Sequence, residues 1–178
     1  DLDIVAGNWE TNSRFTATNN DPIILYLNDF DANGSLDPLL TYSYKGIETT
    51  FASKEELTKQ FPFLNKVFRT YKDFAKSSVD NAFGTRKLES ALKKKVVELR
   101  SCFFENKEGV FVKKPLPLLA QIAPVNAIEL IDKKNGLKDM LFFGNNLYVS
   151  TQLGQLDANR GILINQKSKG NFLHIIIT

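Results

Sequence analysis

The chain has 178 residues, 43% of them hydrophobic and 24% charged, enough apolar material for one sizeable core and an ordinary balance for a globular protein. Its formal net charge of +3 is too small to argue for nucleic acid, whose binders concentrate basic charge on one face. The longest basic run, Lys93-Lys94-Lys95, has Glu89 and Glu98 close by and reads as the solvated face of a helix. No apolar run approaches the ~20 residues a membrane helix needs, so no transmembrane segment is expected. The single cysteine, Cys102, rules out a disulfide within the chain and reads as a core thiol beside Phe103 and Phe104.

In chain order, Ile23 to Leu27 is an apolar, partly β-branched run that predicts a buried strand. Leu39 to Tyr44 and Ile47 to Phe51 predict a hairpin turning at Lys45-Gly46. The stretch from about Ser53 to Lys95 predicts helices. Ser53-Lys54-Glu55-Glu56 fits a capping box, and Leu57, Phe61, Leu64 and Phe68 recur at helical spacing, with Pro62 dividing them. Thr70 and Ser77-Ser78 look like further helix starts. Thr85 looks like the cap of a last helix burying Leu88, Ala91 and Leu92. Strands then return: a hairpin of Val96 to Phe104 with Gly109 to Lys113, then Ala127 to Ile131, Met140 to Phe143, Gly161 to Asn165, and Phe172 to Ile177, separated by Gly, Asn and Pro.

The segment with chemical content is Asp29-Phe30-Asp31-Ala32-Asn33-Gly34-Ser35-Leu36-Asp37. Asp29, Asp31, Asn33 and Asp37 place oxygen side chains at loop positions 1, 3, 5 and 9, and Ser35 offers a backbone carbonyl at position 7. Ca2+ is a hard cation that takes six to eight oxygens, and three carboxylates this close repel one another without a cation. Gly34 allows the sharp turn between them. An EF-hand also needs a glutamate at position 12, where Leu40 stands here, and flanking helices, where strands are expected. The loop is therefore read as a strand–loop–strand calcium site with metal ligands Asp29, Asp31, Asn33, Ser35 and Asp37. Asn33-Gly34-Ser35 also matches a glycosylation sequon, but Asn33 is better used as a ligand. A polar β-turn is the plainer reading of the same residues.

The pattern recurs imperfectly. Asp1 and Asp3 would be positions 7 and 9 of an earlier copy that runs through Ile4 and Val5 into Gly7-Asn8. A later copy, Ile131 to Asp139, keeps Asn135, Gly136 and Asp139 and runs on to Gly144-Asn145. It carries Ile131 and Lys133 at positions 1 and 3, so it is expected to hold the turn without metal. Repeated units that cannot bury their own faces imply stacking on neighbours.

On these residues the chain resembles the FG-GAP/VCBS-repeat family, related in fold to the integrin α-chain propeller. It is also similar to a group of exported Bacteroidetes proteins in which Gly7-Asn8-Trp9, the Asp29 loop, Ala52 to Leu57, Lys114-Pro115-Leu116-Pro117 and Ala123 to Ala127 occur in this order. The resemblance implies a mainly β fold over residues 1–178. It would be a partial β-propeller of about two to three blades of antiparallel strands, with an inserted α-helical segment at about 53–95. It further implies calcium in inter-strand loops and export to the cell surface, outer membrane or periplasm. The opening Asp1-Leu2-Asp3-Ile4-Val5, mid-pattern and without Met, is what the C-terminal part of a longer propeller would show.

The expected function is non-catalytic: a scaffold or binding module for a surface protein or glycan, seated beside other blades of the parent propeller. A hydrolase using propeller-loop carboxylates is the alternative, since spatial pairs are invisible in sequence. His174, the only histidine, sits in the apolar run Phe172 to Ile177 and reads as a strand residue, and no phosphate loop, Rossmann glycine pattern or zinc spacing is present.

Overall fold

The computed structural model describes residues 2–150 and 153–176, with side chains at 174–176 outside that description. Asp1 and Ile177, read above as a loop position and a strand residue, lie outside the described residues. In chain order the elements are β1 (Ile4–Ala6), β2 (Ile23–Asn28), β3 (Asp37–Tyr44) and β4 (Ile47–Thr50), followed by α1 (Lys54–Gln60), α2 (Leu64–Val67), α3 (Tyr71–Ala75), α4 (Val79–Phe83) and α5 (Thr85–Ser90). Then come β5 (Leu92–Val96), β6 (Cys102–Lys107), β7 (Val110–Pro115), a 3-10 turn (Leu118–Gln121), β8 (Ala127–Asp132), β9 (Lys138–Phe143), β10 (Ile162–Ser168) and β11 (Asn171–Ile176). The fold is mainly β: three antiparallel sheets, ordered β1-β6-β7, β4-β3-β2-β5 and β11-β10-β9-β8, and a few short helices. No described helix is long and apolar enough to cross a membrane.

The chain divides into two compact units. Unit 1 is Asp1–Phe15 with Leu99–Thr178, and unit 2 is Thr16–Glu98. In unit 2, β2 pairs with β3 so that Asn28 faces Asp37 and Ile24 faces Thr41. Side chains alternate across the sheet: Ile24, Tyr26, Leu39 and Thr41 are buried while Leu25 and Leu40 are exposed. The run Ile23 to Leu27 is thus a half-buried strand, because the helices supply one face of the core. Leu57, Phe61, Leu64, Phe68, Val79, Phe83 and Leu88 pack with Ile24, Tyr26, Leu39 and Phe30.

The helix starts follow local chemistry. Ser53 accepts from Glu56 N while Glu56 answers through the Ser53 backbone, the reciprocal pair that satisfies two orphan donors. Thr70 accepts from Asp73 N at 3.1 Å. At the last helix the cap is Gly84, not Thr85, which is already inside α5. The chain then turns extended at Ala91 (ψ 146°), so Leu92 is exposed and Lys93-Lys94-Lys95 lie on strand β5, not on a helix. These lysines stand opposite Tyr26, Leu25 and Ile24 of β2, with the Lys93 ammonium 5.3 Å from the centre of the Tyr26 ring. Pairing with β2 satisfies their backbone groups on one side.

In unit 1, β1 pairs with β6 and β6 with β7, the latter hairpin turning at Glu108-Gly109, both at positive φ. The β6 strand begins at Cys102 and not at Val96 because the chain passes from unit 2 to unit 1 at Leu99. Strands β8 to β11 form an up-and-down meander. Phe103, Leu116, Met140, Phe142, Ile162 and Ile164 form the buried cluster, joined by Val5, Val125 and Phe172. Cys102 is buried, as read from its neighbours.

The two Gly-Asn pairs have a common structural use. A Cβ at Gly7 would lie 2.6 Å from the Val125 carbonyl oxygen, and one at Gly144 would lie 2.0 Å from that of Pro124. Both glycines press backbone against the same short segment, where any side chain is excluded. Gly144→Ala is expected to cost about 3 kcal/mol, the upper end of overpacking penalties, because the obstructing atoms are backbone. The urea midpoint of unit 1, followed by the signals of β9 and β10, checks this.

Candidate metal centre

The Asp29 loop leaves β2 at Asn28 and rejoins the sheet at Asp37, whose backbone pairs with Asn28. Three features fix its path. Asn28 Oδ1 accepts the Asp29 N–H at 2.9 Å. Ala32 and Gly34 take positive φ, 63° and 87°, which turns the loop back on itself. Phe30, at loop position 2, is fully buried and meets Phe61 and Phe83 edge-on at centroid distances of 6.2 and 5.1 Å. The aromatic at the second position thus anchors into the helical core while its acidic neighbours face outward.

The carboxylates converge. One oxygen each from Asp29, Asp31 and Asp37 lie within 4.8 Å of one another. The backbone has already organised them: Asp29 accepts from Asn33 N (3.0 Å) and Gly34 N (2.9 Å), and Asp31 accepts from Asn33 N (3.2 Å). Asp37, the one buried member, accepts from Phe30 N (3.1 Å) and from Gln60 Nε2 (3.3 Å). Donation from Gly34 N–H, with further donation from Asn33, holds the Asp29 carboxyl below its usual range despite partial desolvation. Each carboxylate oxygen has a second lone pair, so these bonds leave ligation open.

Asn33 and Ser35 are more exposed. The Asn33 amide donates to Asp31 Oδ2 at 3.0 Å, and its Oδ1 accepts the Ser35 N–H at 2.8 Å. The structure therefore brings Asp29, Asp31 and Asp37 together and uses Asn33 and Ser35 to form the turn that faces them. Among the described residues no lysine or arginine pairs with the three aspartates. Lys87 donates to the Phe30 carbonyl at 2.5 Å. Gln60 and Lys87, from α1 and α5, support the loop, and sequence reasoning missed both. They stand 23 and 57 residues from their partners, and no local pattern marks such contacts.

The donor set suits a hard divalent ion. Oxygens bound to one Ca2+ at roughly 2.3–2.6 Å can be up to about 5 Å apart, a span that the three carboxylates satisfy. Nothing in the loop suits a soft metal, since no Cys or His belongs to it.

The other two loop copies differ. Asp3 accepts from Asn106 N at 2.9 Å and pairs with Lys169 at 3.5 Å. Residues Lys133 to Leu137 form a tight turn between β8 and β9, with Asn135 Oδ1 accepting from Leu137 N as Asn33 does from Ser35 N. Among the described residues the Asp29 loop alone brings three acidic or metal-ligating groups together. His174 of β11 has its backbone opposite Ile164 of β10.

Two outcomes test this geometry. Phe30→Ala is expected to destabilise unit 2 by about 3–5 kcal/mol, as buried aromatic truncations do, measured by chemical denaturation. The lowered Asp29 value means its ionised form favours the folded loop. That stability is complete above the ordinary carboxylate range, about pH 4, and is lost as pH falls through the lower folded value. Amide signals of Asn33 and Gly34 should therefore hold until the pH drops below about 4, and Asp29→Asn should abolish their titration.

Comparison of the chain with protein-family models, with curated proteins and with solved structures returned no match.

Proposed function

We propose that this chain is a non-catalytic, calcium-stapled β-propeller module that presents loops for binding a surface protein or glycan outside the cell. The observation that carries the reading is the convergence of Asp29, Asp31 and Asp37 within 4.8 Å. Like charges this close repel one another, and a divalent ion among them replaces that repulsion with attraction. Because the ion binds the folded loop and not the unfolded chain, its binding energy adds to folding energy. Asp29, Asp31 and Asp37 would give carboxylate oxygens, Asn33 its amide oxygen and Ser35 its backbone carbonyl, with water completing the shell.

The meander β8 to β11 supports the propeller part of the reading, since a propeller blade is a four-stranded antiparallel sheet of this kind. Export and a glycan or protein partner rest on the family resemblance drawn from the Asp29 loop and its imperfect copies. The calcium has a structural role in this proposal: it pins Asp29 at the end of β2 to Asp37 at the start of β3, and so sets the register of the sheet.

The test is chelation. At calcium about 100-fold above the dissociation constant, binding stabilises the fold by about 2.7 kcal/mol, so EDTA should lower the melting temperature of the full chain by several degrees. Excess Mg2+ should restore it poorly, since Mg2+ demands a tighter octahedral site. Asp31→Ala should melt at the lower temperature with or without calcium. Identical melting of the unaltered chain in EDTA and in millimolar CaCl2 removes the proposal, and a glycan array tests the binding part separately.

A further inference from the structure

The three closing aspartates, Asp3, Asp37 and Asp139, have different counter-charges. Asp37 converges with Asp29 and Asp31 and accepts from two neutral donors, the Phe30 N–H and the Gln60 amide. Asp139 of β9 is met by the Lys133 ammonium, whose Nζ lies 3.2 Å from Asp139 Oδ1. Lys133 occupies loop position 3, where the other loop has Asp31, and Asp139 occupies position 9, where that loop has Asp37. The pair that repels in one loop attracts in the other.

The surroundings show what the ammonium does. Backbone pairing between β9 and β10 runs from Ile162↔Phe142 to Ile164↔Met140 and stops there. Beyond it, Asp139 takes over the attachment: Oδ1 accepts from Gln166 N at 2.9 Å and Oδ2 from Asn165 Nδ2 at 3.0 Å. Lys133 Nζ closes the ring by donating to the Gln166 carbonyl at 3.1 Å. One ammonium thus neutralises the carboxylate and satisfies the backbone group beside it, as a bound cation would. Both side chains are mostly withdrawn from solvent, with relative exposures of 25% and 15%, so the pair is less screened than a surface salt bridge.

We propose that the Lys133 ammonium is the resident cation of the 131–139 hairpin, so that this hairpin neither needs nor takes a divalent ion and calcium dependence is confined to unit 2. The second half of this statement rests on the calcium reading of the Asp29 loop; the first half does not. Asp3, paired with Lys169, follows the same rule in a more exposed setting.

The experiment uses the full chain and reads residues individually by NMR. Lys133→Met should raise the hydrogen-exchange rate of the Gln166 amide about fivefold and lower the melting temperature of unit 1 by about 4–8 °C, the shift expected for the loss of about 1 kcal/mol. Lys133→Arg should retain most of the protection, and millimolar CaCl2 should not rescue Lys133→Met. In the unaltered chain, CaCl2 should shift the amides of Asp29 to Asp37 and leave those of Lys133 to Asp139 in place. Unchanged Gln166 exchange in Lys133→Met, or a calcium-induced shift in the 133–139 amides, overturns the proposal. If the Asp29 to Asp37 amides stay still in calcium while Lys133→Met behaves as expected, the calcium reading of that loop falls and the role of Lys133 stands.

Discussion

The candidate site depends on the burial of Phe30 between two aspartates. Its ring is held among Phe61 and Phe83, and its N–H is given to Asp37. Asp29 and Asp31 flank it in sequence and cannot diverge far from a neighbour whose side chain is locked in a core. Hydrophobic burial therefore does the positioning, and electrostatic repulsion is the consequence. Burying a phenyl ring is worth roughly 2–3 kcal/mol, enough to hold like charges that solvent only partly screens. The helices α1 and α5 complete the arrangement from outside the loop, through Gln60 and Lys87.

Much of this was legible in the sequence. The capping box at Ser53, the Thr70 cap and the turns at Lys45-Gly46 and Glu108-Gly109 depend on residues within four positions of one another, and each formed as its local chemistry dictates. The spacing of Asp29, Asp31 and Asp37 predicted that these carboxylates converge, and they do. What was not legible depends on partners distant in sequence. Leu92 to Lys95 reads as a helical continuation until β2 is present to pair with it. The start of β6 at Cys102, later than the apolar pattern suggests, follows from the passage of the chain between units at Leu99. The fate of Asp139 could be half seen: Lys133 argues against a metal, but its bond to Gln166 requires β10.

The loop copies show how one backbone scheme accommodates opposite charge patterns. The Asn at position 5 accepts the N–H two residues on in both the Asp29 and the Ile131 copies, and the following glycine takes positive φ in both. The turn is therefore set by Asn and Gly, independently of what stands at positions 1 and 3. Those positions carry two carboxylates in the first loop, and an isoleucine and a lysine in the second.

Strand β5 has a consequence for how the molecule behaves among its own copies. It is the outermost strand of its sheet among the described residues, and an edge strand is a template for lateral growth. Three consecutive ammonium groups on that border make the approach of an identical border unfavourable over a distance of about 8 Å at physiological ionic strength. The protection is electrostatic, not steric, so it weakens as salt rises and vanishes against a polyanion. Crowding at low ionic strength should leave the molecules dispersed, whereas concentrated salt removes that protection from the border.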